Sequence, residues 1–119
     1  VAAKTGLGVF EAAKELGEGH YVVGCDIDQS PLLPGQVVGS QITPYDTWVY
    51  AAMKDYAEGK FEGGRTEAFS MKRTDGAGFD FDSTGKITYK DGVKDMVEES
   101  KEKIMSGEIV PESVREKDK

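Results

Sequence analysis

Residues 21–42, YVVGCDIDQSPLLPGQVVGSQI, decide the fold. They hold two short apolar runs, residues 21–25 and 36–42, separated by a polar loop in which Pro31 and Pro34 mark turns. The first run is apolar without alternation, which is typical of a strand buried on both faces of a parallel sheet. The stretch therefore predicts two strands, of which the first is parallel to its neighbours.

A helix is predicted immediately before this stretch. Apolar residues recur at helical spacing over residues 7–16, with Thr5 as the predicted N-cap and Gly17 at the position where a helix ends. Residues 1–3 predict the end of an earlier strand, so the turn KTGLG follows the carboxyl end of that strand, where open parallel sheets bind ligands. The turn fits neither phosphate-binding signature, because its lysine precedes the glycines and no third glycine follows. From the residues alone, a ligand-facing turn and a plain connection both stay open.

A second helix is predicted after the stretch. Thr43 is the predicted N-cap, Pro44 takes the first helical position and Asp46 the third, as in a capping box. The apolar and aromatic side chains that follow recur at helical spacing, and we interpret them as core residues: Tyr45, Trp48, Val49, Ala52, Met53 and Tyr56.

Strand and helix patterns continue to alternate along the rest of the chain. They predict a strand over residues 65–73, an irregular connection over 74–85, a short strand over 86–90 and a helix over about 92–106. Gly107 ends that helix, and residues 112–119 are predicted to fray. The alternation predicts an α/β protein with a mostly parallel sheet.

Composition narrows the classes of function. The chain has 119 residues and a net charge of −7, which fits one acidic domain and argues against nucleic acid or an anionic membrane surface as a partner. Cys25 is the single cysteine, interpreted as a buried small hydrophobe, and His20 is the single histidine. The residues form no recognisable nucleophile–base set and no His-rich metal site, which favours binding over catalysis. We expect no metal and no cofactor.

Two carboxylates follow the first strand of the opening stretch. Asp26 and Asp28 lie at the strand's carboxyl end, beside the KTGLG turn in this kind of sheet. A carboxylate there can accept hydrogen bonds from two neighbouring hydroxyls, as on a ribose. Alternation along an extended chain places both on one side, so the pattern does not choose between them. One of them alternatively caps the loop.

A calcium-loop pattern occurs near the end of the chain. In DFDSTGKITYKD, residues 80–91, Asp80, Asp82 and Thr84 take the first three ligand positions. Asp91 stands where a bidentate Glu is usual, and no helix precedes the loop. We therefore interpret residues 83–85 as a turn between two extended segments and expect no bound calcium.

The order of several segments resembles the C-terminal part of the basic membrane protein family. These are nucleoside-binding lipoproteins, similar to the purine nucleoside receptor of bacterial ABC transporters. The resemblance covers about residues 2–111 and rests on these segments in this order: TGLGVFEAAKE, VVGCDIDQS, VVGSQI, DTWVYAAMKD, GKFEGG, SMKRTDGAG and EKIMSGEIVP.

The resemblance implies a type I periplasmic binding protein fold, with a ligand held between two α/β lobes. Residues 1–111 would form part of the C-terminal lobe, a Rossmann-like three-layer unit with a mostly parallel sheet, and a crossover would lie near residues 74–81. The opening turn would face the ligand, and the ribose-binding aspartate of the family matches Asp26 best and Asp28 second. The expected ligand residues are Ala3, Lys4, Thr5, Gly6, Asp26, Asp28 and Thr43.

The chain departs from the family pattern in three respects. Ala3 and Lys4 replace the two glycines that usually precede the threonine of the opening turn. In the Ser-x-x-Lys segment before the second helix, Ser40 is present but Thr43 replaces the ligand-reaching lysine. The first lobe of the family is absent from these residues.

The function implied is that of a solute-binding subunit that captures a purine nucleoside and delivers it to an ABC transporter permease. Such a protein is extracytoplasmic and reaches the membrane only through a lipid anchor on its N-terminal part. A chain limited to part of one lobe would expose apolar surface and self-associate. The alternative is a small cytoplasmic α/β module, an enzyme or a partner-binding domain, that shares only the half-fold.

Overall fold

The computed structural model describes residues 5–66, 71 and 77–111, which belong to two units divided after Thr88. The first unit contains α1 (Gly6–Leu16), β1 (Val22–Asp26), β2 (Val37–Ile42), α2 (Tyr45–Ala57) and β3 (Gly78–Phe81). The second contains α3 (Val93–Ser106). Most of the strand predicted over 65–73 and the tail over 112–119 lie outside the described residues.

The strands of the first unit form one sheet in the order β1-β2-β3. β1 is parallel to β2, with Val22 opposite Val37 and Asp26 opposite Ile42, which confirms both strands of the opening stretch. β3 is antiparallel to β2 and places Gly78 opposite Ile42. The carboxyl ends of β1 and β2 therefore lie at one edge of the sheet.

α1 packs on the amino-terminal half of this sheet. Phe10 and Ala13 form the buried core with Val22 and Val37, and Leu33 packs against them. The helix begins after Thr5 and ends at Gly17, as predicted, although the Thr5 side chain makes no capping hydrogen bond.

Gln36 fixes the end of α1 just before β2 begins. Its side-chain amide nitrogen lies 2.8, 2.9 and 2.9 Å from the carbonyl oxygens of Ala13, Gly17 and His20, which share its two N–H donors. This contact holds the carboxyl end of α1 beside the start of β2.

The predicted strand over residues 86–90 is wrong. The amides of Lys86 and Ile87 donate to the carboxylate of Asp82, at 2.8 and 2.9 Å, so they are not available to a neighbouring strand. The predicted turn over residues 83–85 is present. The strand of this region is instead β3, in what the sequence predicted as an irregular connection; its Phe79 and Phe81 rings meet edge to face at 5.4 Å.

The core interpretation of α2 is also wrong. None of its residues is buried, and Val49, Met53 and Tyr56 are 57%, 67% and 76% exposed. Trp48 is half-buried. Helical spacing predicts which side chains share a face, and in the part of the chain that the structure describes no element covers that face.

The second unit is described by itself. α3 ends at Gly107, which adopts the left-handed conformation, as predicted for that residue. Val93, Val97 and Ile104 are half-buried, whereas Met96 is 68% exposed. No helix among the described residues is long and apolar enough to cross a membrane.

Candidate functional site

Asp26 ends β1 in an unusual backbone conformation. Its φ of +73° lies in the left-handed region, and it is the one non-glycine residue with positive φ among the described residues. For an L-residue this conformation is uncommon and costs about 1 kcal/mol, least for Asn and Asp. Strain of this kind is concentrated at functional sites, which makes Asp26 a candidate.

The carboxylate of Asp26 contacts two hydroxyl groups from the segment after β2. Thr43 Oγ1 and Tyr45 Oη donate to Asp26 Oδ1 at 3.2 and 3.3 Å. The Thr43 amide also donates to the Asp26 carbonyl oxygen at 2.9 Å. The structure thus brings together two of the predicted ligand residues, Asp26 and Thr43.

Gln41 orients the Thr43 hydroxyl. The Gln41 side-chain amide nitrogen donates to Thr43 Oγ1 at 2.9 Å, so this oxygen is an acceptor there and its own proton is directed to Asp26. The same contacts explain an error in the predicted helix start. Thr43 is bound to the end of β1, and the N-cap of α2 is Pro44, one residue later.

Asp28 has a different environment from Asp26. Its carboxylate accepts hydrogen bonds from the Ser83 hydroxyl and from the Ser30 amide, the latter at 2.9 Å. The Ser83 bond and the Ser30 bonds hold the pKa of Asp28 below its usual range. Both oxygens therefore have protein partners, and Asp28 joins its own loop to the turn after β3. Asp28 therefore fits the alternative in which one of the two aspartates caps the loop.

A second group of hydrogen bonds holds the loop between β1 and β2. The Gln29 amide donates to the buried Ser40 Oγ at 3.0 Å, and the Cys25 amide donates to Gln29 Oε1 at 2.8 Å. Gly24 lies beside Ser40, where a Cβ would overlap the serine hydroxyl. A glycine at this position is what allows β1 and the loop to approach so closely.

The remaining predicted ligand residues belong to the opening turn. Ala3 and Lys4 lie outside the described residues. Thr5 and Gly6 lie at the start of α1, where the first-turn amides receive no capping bond from Thr5. Among the described residues, no hydrogen bond joins Thr5 or Gly6 to Asp26, so the role of these two residues in binding stays a prediction.

In the segment with the calcium-loop pattern, the carboxylate of Asp82 binds the turn that follows it. Its carboxylate accepts the amide and hydroxyl of Thr84 and the amides of Lys86 and Ile87. Desolvation opposes ionisation of this group, but the hydrogen bonds from Thr84, Ile87 and Lys86 outweigh it and lower the pKa of Asp82. The described residues contain no group of three or more His, Cys, Asp or Glu side chains arranged to hold a metal.

Sequence reasoning missed Tyr45, Gln41 and Gln29. The spacing of Tyr45 fits the apolar stripe of α2, and spacing carries no information on where its hydroxyl points. A shallow depression of about 330 Å³ does follow the stripe, lined by Val49, Ala52, Met53, Tyr56 and Phe61. None of the predicted ligand residues that the structure describes lines it.

Comparison with known proteins gives the family context of this site. The family model Bmp, described as ABC transporter substrate-binding protein PnrA-like, matches residues 1–114. Basic membrane protein D of Borreliella burgdorferi strain JD1 is 41% identical over 91 residues, 76% of this chain and 26% of that protein. Basic membrane protein B of Borrelia garinii subsp. bavariensis is 42% identical over 66 residues, 54% of this chain and 19% of that protein.

A solved structure shows the same fold. The crystal structure of an ABC transporter system solute-binding protein from Aeropyrum pernix K1 superposes with a TM-score of 0.69 at 26% identity. The match covers 93% of this chain and 39% of that protein, so this chain spans well under half of the proteins that it resembles. The mixed α/β fold with its parallel strand pair, the family match and this superposition together confirm the resemblance noted in the sequence: the chain belongs to the Bmp family of PnrA-like ABC transporter substrate-binding proteins.

Proposed function

We propose that the chain is part of the ligand-binding lobe of an ABC transporter solute-binding protein, and that Asp26 is its main ligand contact. The observation that carries this proposal is the pattern of hydrogen bonds at the Asp26 carboxylate. Oδ1 accepts two protein hydroxyls, whereas no donor among the described residues reaches Oδ2. A carboxylate oxygen that no described residue contacts as a donor, on a half-buried and strained residue at the carboxyl edge of a sheet, is an acceptor available to a solute.

We propose a purine nucleoside as the ligand. A ribose offers two neighbouring hydroxyl donors, and a carboxylate is an acceptor suited to them. The acidic chain, with its net charge of −7, disfavours anionic solutes such as nucleotides. Thr43, in the position where the family has lysine, adds a hydroxyl in place of a cation and strengthens this preference for an uncharged ligand.

Other parts of the protein complete this function. The proposed domain arrangement assigns residues 1–111 to part of the C-terminal lobe, with a crossover near residues 74–81, and a further lobe closes over the ligand. The proposed partner is the permease of an ABC transporter, and the proposed location is extracytoplasmic, with a lipid anchor outside these residues. The exposed face of α2 supports self-association of the chain when it is produced alone.

Calorimetry on the full-length gene product tests this function. Adenosine, guanosine and inosine are titrated beside adenine and adenosine monophosphate. We expect at least one nucleoside to bind, and both the free base and the monophosphate to bind at least tenfold more weakly, a difference of about 1.4 kcal/mol or more. Heat from none of the three nucleosides would contradict the proposal, and tighter binding of the monophosphate would contradict its charge argument.

A further inference from the structure

The two oxygens of the Asp26 carboxylate differ in their hydrogen-bond partners. A carboxylate oxygen has two lone pairs, and those of Oδ1 receive the Thr43 and Tyr45 hydroxyls at 3.2 and 3.3 Å. Oδ1 therefore already accepts two protein hydroxyls. Oδ2 has no donor among the described residues, so it is the oxygen with acceptor capacity left for a ligand.

Tyr45 is placed to hold this arrangement. It is the first residue of α2, after the buried Pro44, so its backbone is fixed by the start of the helix. Its ring meets the Trp48 ring edge to face, with the centroids 5.6 Å apart and the planes at 77°. This contact restricts the ring of Tyr45 and keeps its hydroxyl within reach of Oδ1.

We propose that Tyr45 is a positioning residue of the ligand site. Its hydroxyl, together with that of Thr43, holds Oδ1 and turns Oδ2 toward the solute. This inference rests on the proposed nucleoside function and specifies how the site reads the ribose. With Oδ1 occupied, Oδ2 is the acceptor left for the ribose, and its two lone pairs can receive one or both of the ribose hydroxyls.

A double-mutant cycle on the full-length gene product tests this role. The binding of adenosine, guanosine or inosine, whichever is tightest, is measured for wild type, Tyr45→Phe, Asp26→Asn and the double variant. Tyr45→Phe should weaken binding about fivefold in the wild-type background and less than about twofold in the Asp26→Asn background. Asp26→Asn suits the cycle because asparagine also tolerates the left-handed conformation. The matched control is Tyr50→Phe, which removes the hydroxyl of a tyrosine of the same helix that is 70% exposed, and should leave binding unchanged.

The same nucleoside lacking the 2′- or the 3′-hydroxyl gives a second readout. We expect wild type to bind at least one of these analogues about tenfold more weakly than the parent, and Tyr45→Phe, in which Oδ2 is held less firmly, to show a smaller loss for that analogue. No loss for either analogue, an equal loss for that analogue in wild type and Tyr45→Phe, an equal effect of Tyr45→Phe in both backgrounds, or no effect of Tyr45→Phe would overturn the inference while the proposed function stands. If wild type binds none of the three nucleosides, the proposed function fails and the inference fails with it.

Discussion

Asp26 and Asp28 are two residues apart at the end of β1, but their surroundings differ. Asp26 has a strained backbone and one carboxylate oxygen without a described protein donor. Asp28 has protein donors on both oxygens and a lowered pKa. The comparison teaches that neighbouring carboxylates can differ in what the fold leaves available: Asp26 keeps one oxygen without a described donor, whereas Asp28 uses both oxygens to join two loops.

The largest expected effect on stability is that of Asp28. Removing its side chain in Asp28→Ala breaks the bonds to Ser30 and Ser83, and the free energy of unfolding should fall by about 1 kcal/mol. Chemical denaturation at pH 7 measures this. The control is Asp80→Ala, which removes an exposed aspartate of the same unit and should change the free energy of unfolding by less than about 0.5 kcal/mol. A stability of Asp28→Ala equal to that of wild type would contradict the structural role of Asp28.

A smaller effect on stability is expected for Asp26. Glycine adopts a φ of +73° without strain, so this relief partly offsets the lost hydroxyl contacts and the greater freedom of the unfolded chain, and Asp26→Gly should lower the free energy of unfolding by less than about 0.5 kcal/mol. The same denaturation experiment measures it. A loss of more than about 1 kcal/mol would mean that Asp26 stabilises the fold, as Asp28 does.

Low pH should destabilise the fold through protonation of Asp28 and Asp82. Both have a folded-state pKa below the ordinary value of 3.8, so the unfolded chain binds more protons, and their contribution is fully present above that value. Stability should therefore fall as the pH is lowered from about 5 through the folded-state pKa values. Thermal unfolding from pH 6 to pH 2 should show a shallower fall for Asp28→Asn than for wild type. Parallel curves would contradict the assigned role of Asp28.

Calcium should have the smallest effect, because the oxygens of Asp82 are already bonded to its own turn. We expect millimolar CaCl₂ to leave the melting temperature unchanged, with MgCl₂ as the control for ionic strength. A site filled at a hundred times its dissociation constant would add about 2.7 kcal/mol, so a calcium-specific rise would be easy to detect and would restore the metal interpretation of residues 80–91.

Local patterns predicted the framework of the fold. The apolar runs of β1 and β2, the helical spacing of α1 and α3, and the terminal glycines Gly17 and Gly107 are short-range signals, and each was located to within a residue or two. The strand over 86–90 failed because its amides bind Asp82, a side-chain contact that competes with strand pairing.

The site depended on contacts that no local pattern encodes. Alternation placed Asp26 and Asp28 on the same side, but the left-handed conformation of Asp26 ends the extended chain there. The Ser83 bond to Asp28 spans 55 residues, and the Tyr45 bond to Asp26 spans 19. The family resemblance ranked Asp26 above Asp28, and only the folded structure shows a physical difference between them.

Ligand binding by Asp26→Ala and Asp28→Ala, measured side by side by calorimetry on the full-length gene product, tests the central claim most directly. Loss of a hydrogen bond to a charged acceptor costs about 1.5–3 kcal/mol, so Asp26→Ala should weaken nucleoside binding by about tenfold or more. Asp28→Ala should change it by less than about threefold, provided that the variant is measured below its melting temperature. The reverse result, with the large loss in Asp28→Ala and little change in Asp26→Ala, would contradict the account.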